Sequence, residues 1–398
     1  MKVHFIVTFL FVFRILSASA ERLQPATLDS LLNNKCLQTA ETGICVYDLT
    51  ADSLLYTYQA EKLSRPASNM KLVTCISALS LLGADYPLKT SLYYSGEREK
   101  KRIKGDLYVT GGFDPEFRVE DIPILLEVLQ GEQLERIHGN IYGDLSFKDT
   151  IPYGAGWCWD DANEDYQLRM SPLFLRGTRP LSKPEDHFME LFCLALDNID
   201  FTYSSYKGCV TERPADAILL GSVQRSLQDV TRRALKNSNN LNAEAVFYQL
   251  AAWQRSGAEA TAKDAIKAEQ KLLLDLGIQP NQYRLADGCG LSPYNLVSPM
   301  ILVKLLRHAY QNLAIFPVIY NQLPIAGVDG TLKNRMKTGP AYQKIHAKTG
   351  TLTGISSLSG YAQAANGHML AFSILCQNIL DGKAVHAWQD LFCQTLCK

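Results

Sequence analysis

Apolar positions open the chain as a nearly unbroken run over residues 5–13, with Lys2 ahead of it and Ser17-Ala18-Ser19-Ala20 behind. A short apolar core between a basic start and an Ala-x-Ala pattern predicts a secretory signal peptide over residues 1–20. Arg14 cuts the run well short of the roughly 20 apolar residues a membrane span needs. Beyond it the periodicity changes repeatedly. Residues 28–36 read as a short helix, and 43–50 with 53–60 as a β-hairpin turning at Ala51-Asp52. Residues 68–82 repeat at helical spacing between Pro66 and Gly83, the expected punctuation at the two ends of a helix. Strands are predicted at 88–94, 102–110 and 137–147, with a helix at 121–129, while 151–211 is turn-rich and shows no clear element. Helical spacing returns at 222–235, 242–255, 260–276 and 301–311. Three strands, 345–352, 357–364 and 368–378, and a helix at 382–396 close the chain. No second apolar run is long enough to span a bilayer, so no transmembrane segment is expected in the mature chain.

Strands thus gather at the two ends of the chain and helices between them. A sheet joining the N-terminal hairpin to the three C-terminal strands would make a mixed α/β layered domain, interrupted by a unit of strands and loops. Composition adds exclusions. The 398 residues carry 40 Lys+Arg against 40 Asp+Glu, so no charge excess exists to pair with phosphates and nucleic-acid binding is not expected. Ten cysteines all follow the signal segment and form no Cys-x-x-Cys pair, which argues against a metal site. Cys75 and Cys376 sit in apolar patterns and read as buried thiols, whereas Cys209, Cys393 and Cys397 are candidates for disulfides in an exported protein. No dinucleotide fingerprint, P-loop or HExxH appears, and no cofactor is expected.

Candidate chemistry begins at Ser68-Asn69-Met70-Lys71. Residues three apart share a helix face, about 4.5 Å apart along the axis, so the Lys71 amine can reach the Ser68 hydroxyl. A serine is a poor nucleophile until a base takes its proton, and a desolvated lysine can do that. Its own N–H, at the positive end of the helix, can stabilise an oxyanion. Alone, Ser-x-x-Lys is a weak signal and would describe a solvated helix start. Ser238-Asn239-Asn240 follows in a polar break between helices, where it could equally serve as a cap. Lys348-Thr349-Gly350, with Thr351 next, lies in a predicted strand, where glycine lets a ligand's backbone approach the edge without a Cβ clash and Lys and Thr offer donors to a carboxylate. His346, two residues before Lys348, reads as a strand surface residue.

The order Ser-x-x-Lys, Ser-x-Asn, Lys-Thr-Gly is that of the serine enzymes that react with penicillin. The sequence resembles the class C low-molecular-mass penicillin-binding proteins, the D-alanyl-D-alanine carboxypeptidases/endopeptidases. Gly105-Asp106-Leu107, Gly111-Gly112-Phe113-Asp114-Pro115 and Gly143-Asp144-Leu145 are similar to that family's first insertion domain. Further similarity lies in Gly156-Trp157-Cys158-Trp159-Asp160-Asp161, in Asp287-Gly288-Cys289-Gly290-Leu291-Ser292 and in 323–332. The resemblance implies a transpeptidase/β-lactamase-like domain, an antiparallel sheet flanked by helices, formed by residues 21–85 and 232–398. Residues 86–231 would be a smaller strand-rich insertion domain, with the family's second nested insertion reduced or missing. It implies an exported, periplasmic serine D,D-peptidase that cleaves peptidoglycan stem peptides as carboxypeptidase and endopeptidase and is inhibited by β-lactams. In that scheme Ser68 is the nucleophile, Lys71 its base, Ser238 and Asn240 relay a proton and hold the substrate, and Lys348 and Thr349 bind the terminal carboxylate beside Gly350. The N–H groups of Ser68 and Thr351 form the oxyanion hole, and Asp161 and Tyr166 border a side-chain pocket. Two positions depart from the family pattern: Pro293 stands where Arg often follows Gly-Leu-Ser, and Thr353 replaces a Gln beyond Lys-Thr-Gly, which leaves the cross-link side chain open. The rival readings are a β-lactamase-like hydrolase and a non-catalytic cell-wall-binding protein of the same fold.

Overall fold

In the computed structural model, residues 25–162, 164–177, 183–210, 212–255 and 259–398 are described. The predicted signal peptide lies outside them. A five-stranded sheet takes the order Ile345–Leu352, Ile355–Gln363, Met369–Gln377, Glu41–Asp48, Ser53–Tyr58. Every neighbouring pair in it is antiparallel. The N-terminal hairpin and the three C-terminal strands therefore join as their periodicity predicted.

Both faces of this sheet are covered, which explains why its central strand Met369–Gln377 is apolar almost throughout. Ala371 and Leu375 point into one core, shared with helices Met70–Leu82 and Pro299–Gln311. Leu370, Phe372, Ile374 and Cys376 point into the other, against the C-terminal helix Gly382–Leu396 through Trp388 and Phe392. Helices Asn240–Gln254 and Ala262–Asp275 extend the first core through Val246, Leu250, Leu272 and Leu273. The Met70–Leu82 helix is buried on nearly all sides, from Met70 to Leu79. An apolar helix with no polar face belongs in the middle of a domain, and this one carries the Ser-x-x-Lys motif at its start.

A second sheet of five strands, ordered Ile218–Ser226, Pro87–Tyr94, Leu107–Thr110, Ile141–Asp144, Tyr206–Val210, packs its own core against helices Asp121–Gly131 and Pro184–Asp197. Here the sequence reading needs three corrections. The strands predicted at 102–110 and 137–147 are each two strands in different sheets, Arg102–Lys104 with Leu107–Thr110 and Arg136–Ile137 with Ile141–Asp144. The helix predicted over 222–235 is strand Ile218–Ser226 followed by helix Leu227–Lys236, because residues 218–226 pair antiparallel with Pro87–Tyr94. The turn-rich stretch contains the 14-residue helix Pro184–Asp197, started by proline in its first turn.

The cysteines also differ in part from expectation. Cys75 and Cys376 are buried thiols, as read. Cys209, Cys393 and Cys397 are unpaired too: Cys393 and Cys397 fill the core under the C-terminal helix, and Cys209 Sγ lies 3.6 Å from the Tyr206 hydroxyl. No helix among the described residues is long and apolar enough to cross a membrane.

Candidate active site

Ser68 sits in a short 3₁₀ turn, Ala67–Asn69, that feeds directly into the Met70–Leu82 helix. Ala67 before it takes φ +47°, a left-handed conformation that a residue with a Cβ adopts at a cost of about 1–3 kcal/mol. Two neighbours hold that bend. The Pro66 carbonyl accepts from Ser357 Oγ at 2.7 Å. Gly290, at φ +86°, lies so close to the Ala67 carbonyl that a Cβ would fall 1.9 Å from its oxygen. The position of Ser68 is thus fixed by Ser357, on strand Ile355–Gln363, and by the turn at 287–290 together.

Lys71 is fully buried, and its amine meets three oxygens: Ser68 Oγ at 2.9 Å, Asn240 Oδ1 at 2.6 Å and the Cys289 carbonyl at 2.7 Å. Two of these can only accept a hydrogen bond, while the serine hydroxyl can also donate one. A neutral amine has two N–H groups and one lone pair, which fits this set: it donates to Asn240 and Cys289 and takes the Ser68 proton on its lone pair. Burial pushes the Lys71 pKa down from 10.5, opposed by the nearby Cys289, Asp287 and Glu244. The arrangement can therefore do base chemistry at Ser68.

The second motif arrives from the break between helices Leu227–Lys236 and Asn240–Gln254. Ser238 turns the chain at φ +59°. Asn239 caps the following helix, its side chain accepting from Asn242 N, so the capping reading was right for that residue. Asn240, at the first helical position, turns inward to Lys71 and donates through Nδ2 to the Tyr166 carbonyl at 2.8 Å.

Lys348, also fully buried, donates to Ser238 Oγ at 2.8 Å and to the Thr349 carbonyl at 2.7 Å. Burial, with the Lys71 charge adding to it, holds its pKa well below 10.5. Its strand, Ile345–Leu352, forms one edge of the main sheet. A Cβ on Gly350 would lie 2.1 Å from Ser357 Oγ, 2.8 Å from the Pro66 carbonyl oxygen and 3.0 Å from Ser68 N, so only glycine lets this edge approach the nucleophile. Thr349 Oγ1 bonds Thr331 Oγ1 at 2.7 Å, and Thr351 is exposed. The hydrogen bonds make two groups from three remote stretches, Ser68–Lys71–Asn240 and Ser238–Lys348, set side by side by the 238–240 turn and by the close approach of Gly350 to Ser68 N.

Asp161 and Tyr166 stand at the exposed rim. Tyr166 Oη donates to Asp161 Oδ1 at 2.7 Å, and that carboxylate, with some burial, pushes the phenol up to about 12. Their segment is tied inward at Trp157, whose Nε1 donates to Asp287 Oδ2 at 2.8 Å. His346 corrects an expectation: it is buried, stacked on Tyr320 at 3.9 Å between ring centres, with Nδ1 3.0 Å from the Tyr320 carbonyl. The role of the Cys289 carbonyl escaped the sequence reading, because a backbone acceptor leaves no mark in residue type.

The family described as D-Ala-D-Ala carboxypeptidase 3 (S13) matches residues 24–187 and 178–396. A D-alanyl-D-alanine carboxypeptidase from Actinomadura sp. (strain R39) is 28% identical over 91% of this chain and 82% of its own length. Among solved structures, penicillin binding protein 4 from Haemophilus influenzae superimposes with a TM-score of 0.83 at 19% identity, covering 93% of this chain and 99% of that one. A predatory endopeptidase from Bdellovibrio bacteriovorus, acylated by penicillin G, matches at 0.57 and 16% identity over 90% of this chain and 92% of that one. The structural likenesses carry the fold, and the family match spans nearly all of the chain. With its motifs converging as that family's resemblance implied, the chain belongs to the D-Ala-D-Ala carboxypeptidase 3 (S13) family of serine peptidases.

Proposed function

We propose that this protein is an exported serine D,D-peptidase that removes the terminal D-alanine of peptidoglycan stem peptides and also cuts D-alanyl cross-links. The observation that carries this reading is the Lys71 amine held between Ser68 Oγ and Asn240 Oδ1. Ser68 attacks the carbonyl of the penultimate D-alanine while Lys71 takes its proton. The N–H groups of Ser68 and Thr351 stabilise the oxyanion, each worth about 3 kcal/mol. Ser238, in reach of Lys348, passes a proton to the leaving amine, and Asn240 holds the substrate amide. Lys348 and Thr349 bind the terminal carboxylate, on the strand that Gly350 lets approach Ser68. D-alanine departs and water hydrolyses the acyl-enzyme. A β-lactam acylates Ser68 in the same way but keeps its leaving group tethered, so the adduct persists.

Endopeptidase action and β-lactam sensitivity draw support from the endopeptidase acylated by penicillin G. Export draws support from the basic start and apolar run of residues 1–20. In this reading residues 21–85 and 232–398 form the peptidase domain, 86–231 the insertion, and Asp161 with Tyr166 borders the pocket for the stem-peptide side chain. The test is mass spectrometry with peptide mapping after a β-lactam, alongside D-alanine release from a D-Ala-D-Ala peptide. A lasting adduct on the Ser68 peptide is expected. Fast turnover of the β-lactam would favour a β-lactamase. Glycan binding that survives Ser68→Ala, with no D-alanine released by the unaltered protein, would favour a non-catalytic wall binder.

A further inference from the structure

The third oxygen around Lys71 belongs to a turn, and what holds that turn lies beneath the cleft. The Cys289–Gly290 peptide group is gripped at both ends: its carbonyl accepts from Lys71 Nζ at 2.7 Å, and its N–H donates to Asp287 Oδ1 at 2.8 Å. The two peptide groups before it have a different partner. Gly288 N and Cys289 N both donate to Glu244 Oε1, at 2.9 Å and 2.8 Å. Glu244 is 1% exposed and follows Asn240 by four residues, hence sits one turn along the same face of the same helix. The turn also presses on that helix, since a Cβ on Gly288 would fall 2.5 Å from Phe247 Cβ. One helix therefore supplies a direct contact to Lys71 through Asn240 and, through Glu244, fixes the loop that supplies another.

We propose that Glu244 is a positioning residue for the acylation step: by accepting two backbone N–H groups it holds the 288–290 turn so that the Cys289 carbonyl orients the Lys71 amine toward Ser68. The role rests on the reading of Ser68 and Lys71 given under the proposed function. Within it, the acceptor's place matters more than its charge. Burial, with the Asp287 charge adding to it, pushes the Glu244 carboxyl up to about 8, which favours its uncharged form. A glutamine at this position offers the same carbonyl oxygen at the same reach. An aspartate keeps the acid but draws the oxygen back by about 1.5 Å, one carbon–carbon bond.

The experiment is the rate of Ser68 acylation by a fluorescent penicillin, per folded molecule, for the unaltered protein, Glu244→Gln and Glu244→Asp. Penicillin concentration is varied so that pre-covalent binding separates from the acylation step. Expected is a Glu244→Gln rate within about threefold of the unaltered protein and a Glu244→Asp acylation step at least about 30-fold slower, since an ångström's misplacement of a catalytic group costs on the order of 100-fold. Pre-covalent binding should hold in both. A Glu244→Asp rate equal to the unaltered one, or a Glu244→Gln rate as low as that of Glu244→Asp, would overturn the positioning role alone. No label on Ser68 of the unaltered protein would overturn the proposed function, and this role with it.

Discussion

The floor and the rim of the cleft are held together by opposite physics. On the floor, Lys71 and Lys348 are fully buried, and each amine is surrounded by oxygens fixed from several elements. At the rim, Asp161 bonds Tyr166, which is 46% exposed. A buried amine with no water to turn to depends on every partner it has, whereas an exposed pair can exchange its partner for water at little cost. Under the proposed function, that difference is where chemistry and selectivity divide. Reactivity should be brittle toward floor substitutions, and rim substitutions should change which peptide is used without touching the reaction.

The largest effect should come from removing the amine. Lys71→Ala is expected to lower Ser68 acylation by at least about 10³-fold, with the fold retained, because the serine loses its base. Normal labelling of that variant by a fluorescent penicillin would break the account of the floor. Gly350→Ala comes next. Its methyl would collide with Ser357 Oγ and the Pro66 carbonyl, so we expect a stability loss of about 1–3 kcal/mol in thermal unfolding and a loss of acylation. Lys348→Ala should slow acylation by a β-lactam and D-alanine release from a peptide to a similar extent if its place is at the carboxylate, which both carry, and a loss confined to one assay would place it elsewhere.

The pH profile sharpens the same contrast. Burial lowers the Lys71 pKa from 10.5, so acylation should rise with pH along a limb centred below that value. The same shift affects stability. Between the lowered folded pKa and 10.5 the unfolded chain binds more protons at this site, so the contribution of Lys71 to stability grows as pH rises through that window. Glu244 acts with the opposite sign: its folded pKa, about 8, exceeds the usual 4.5, so its contribution is lost as pH rises between them. Glu244→Gln should flatten that fall in unfolding measurements from pH 4.5 to 8.

Floor and rim also differ in how much of them the sequence shows. Ser68, Lys71, Ser238, Asn240 and Lys348 stand out because their spacing within short motifs is set by local helix and strand geometry. The main sheet was legible for a related reason, since its strands carry clear apolar runs and its hairpin has a short turn. The second sheet was not. Residues 218–226 show no clean alternation, because both faces of that strand are only half covered, and their strand state comes from pairing with Pro87–Tyr94. His346 looked like a surface residue until the Tyr320 ring, 26 positions away, was found stacked on it. Glu244 did carry a signal: it falls four residues after Asn240, on the face that turns toward the site, and an acid at such a buried position needs backbone donors to satisfy it.

The smallest effects belong to the rim. Tyr166→Phe removes one hydrogen bond from Asp161, at a place where water can replace it. Penicillin acylation should be unchanged within about twofold, since the backbone carbonyl of residue 166, and not its side chain, touches Asn240. A stem peptide carrying a cationic side chain should show a modest rise in KM at constant kcat, because the loss falls on ground-state binding as much as on the transition state. Asp161→Asn should do the same more strongly, by removing the carboxylate itself. Measuring both constants on peptides with and without the side-chain amine decides the point: a fall in kcat on both substrates would move Asp161 and Tyr166 from rim to floor, and the division of labour between the two regions would fail.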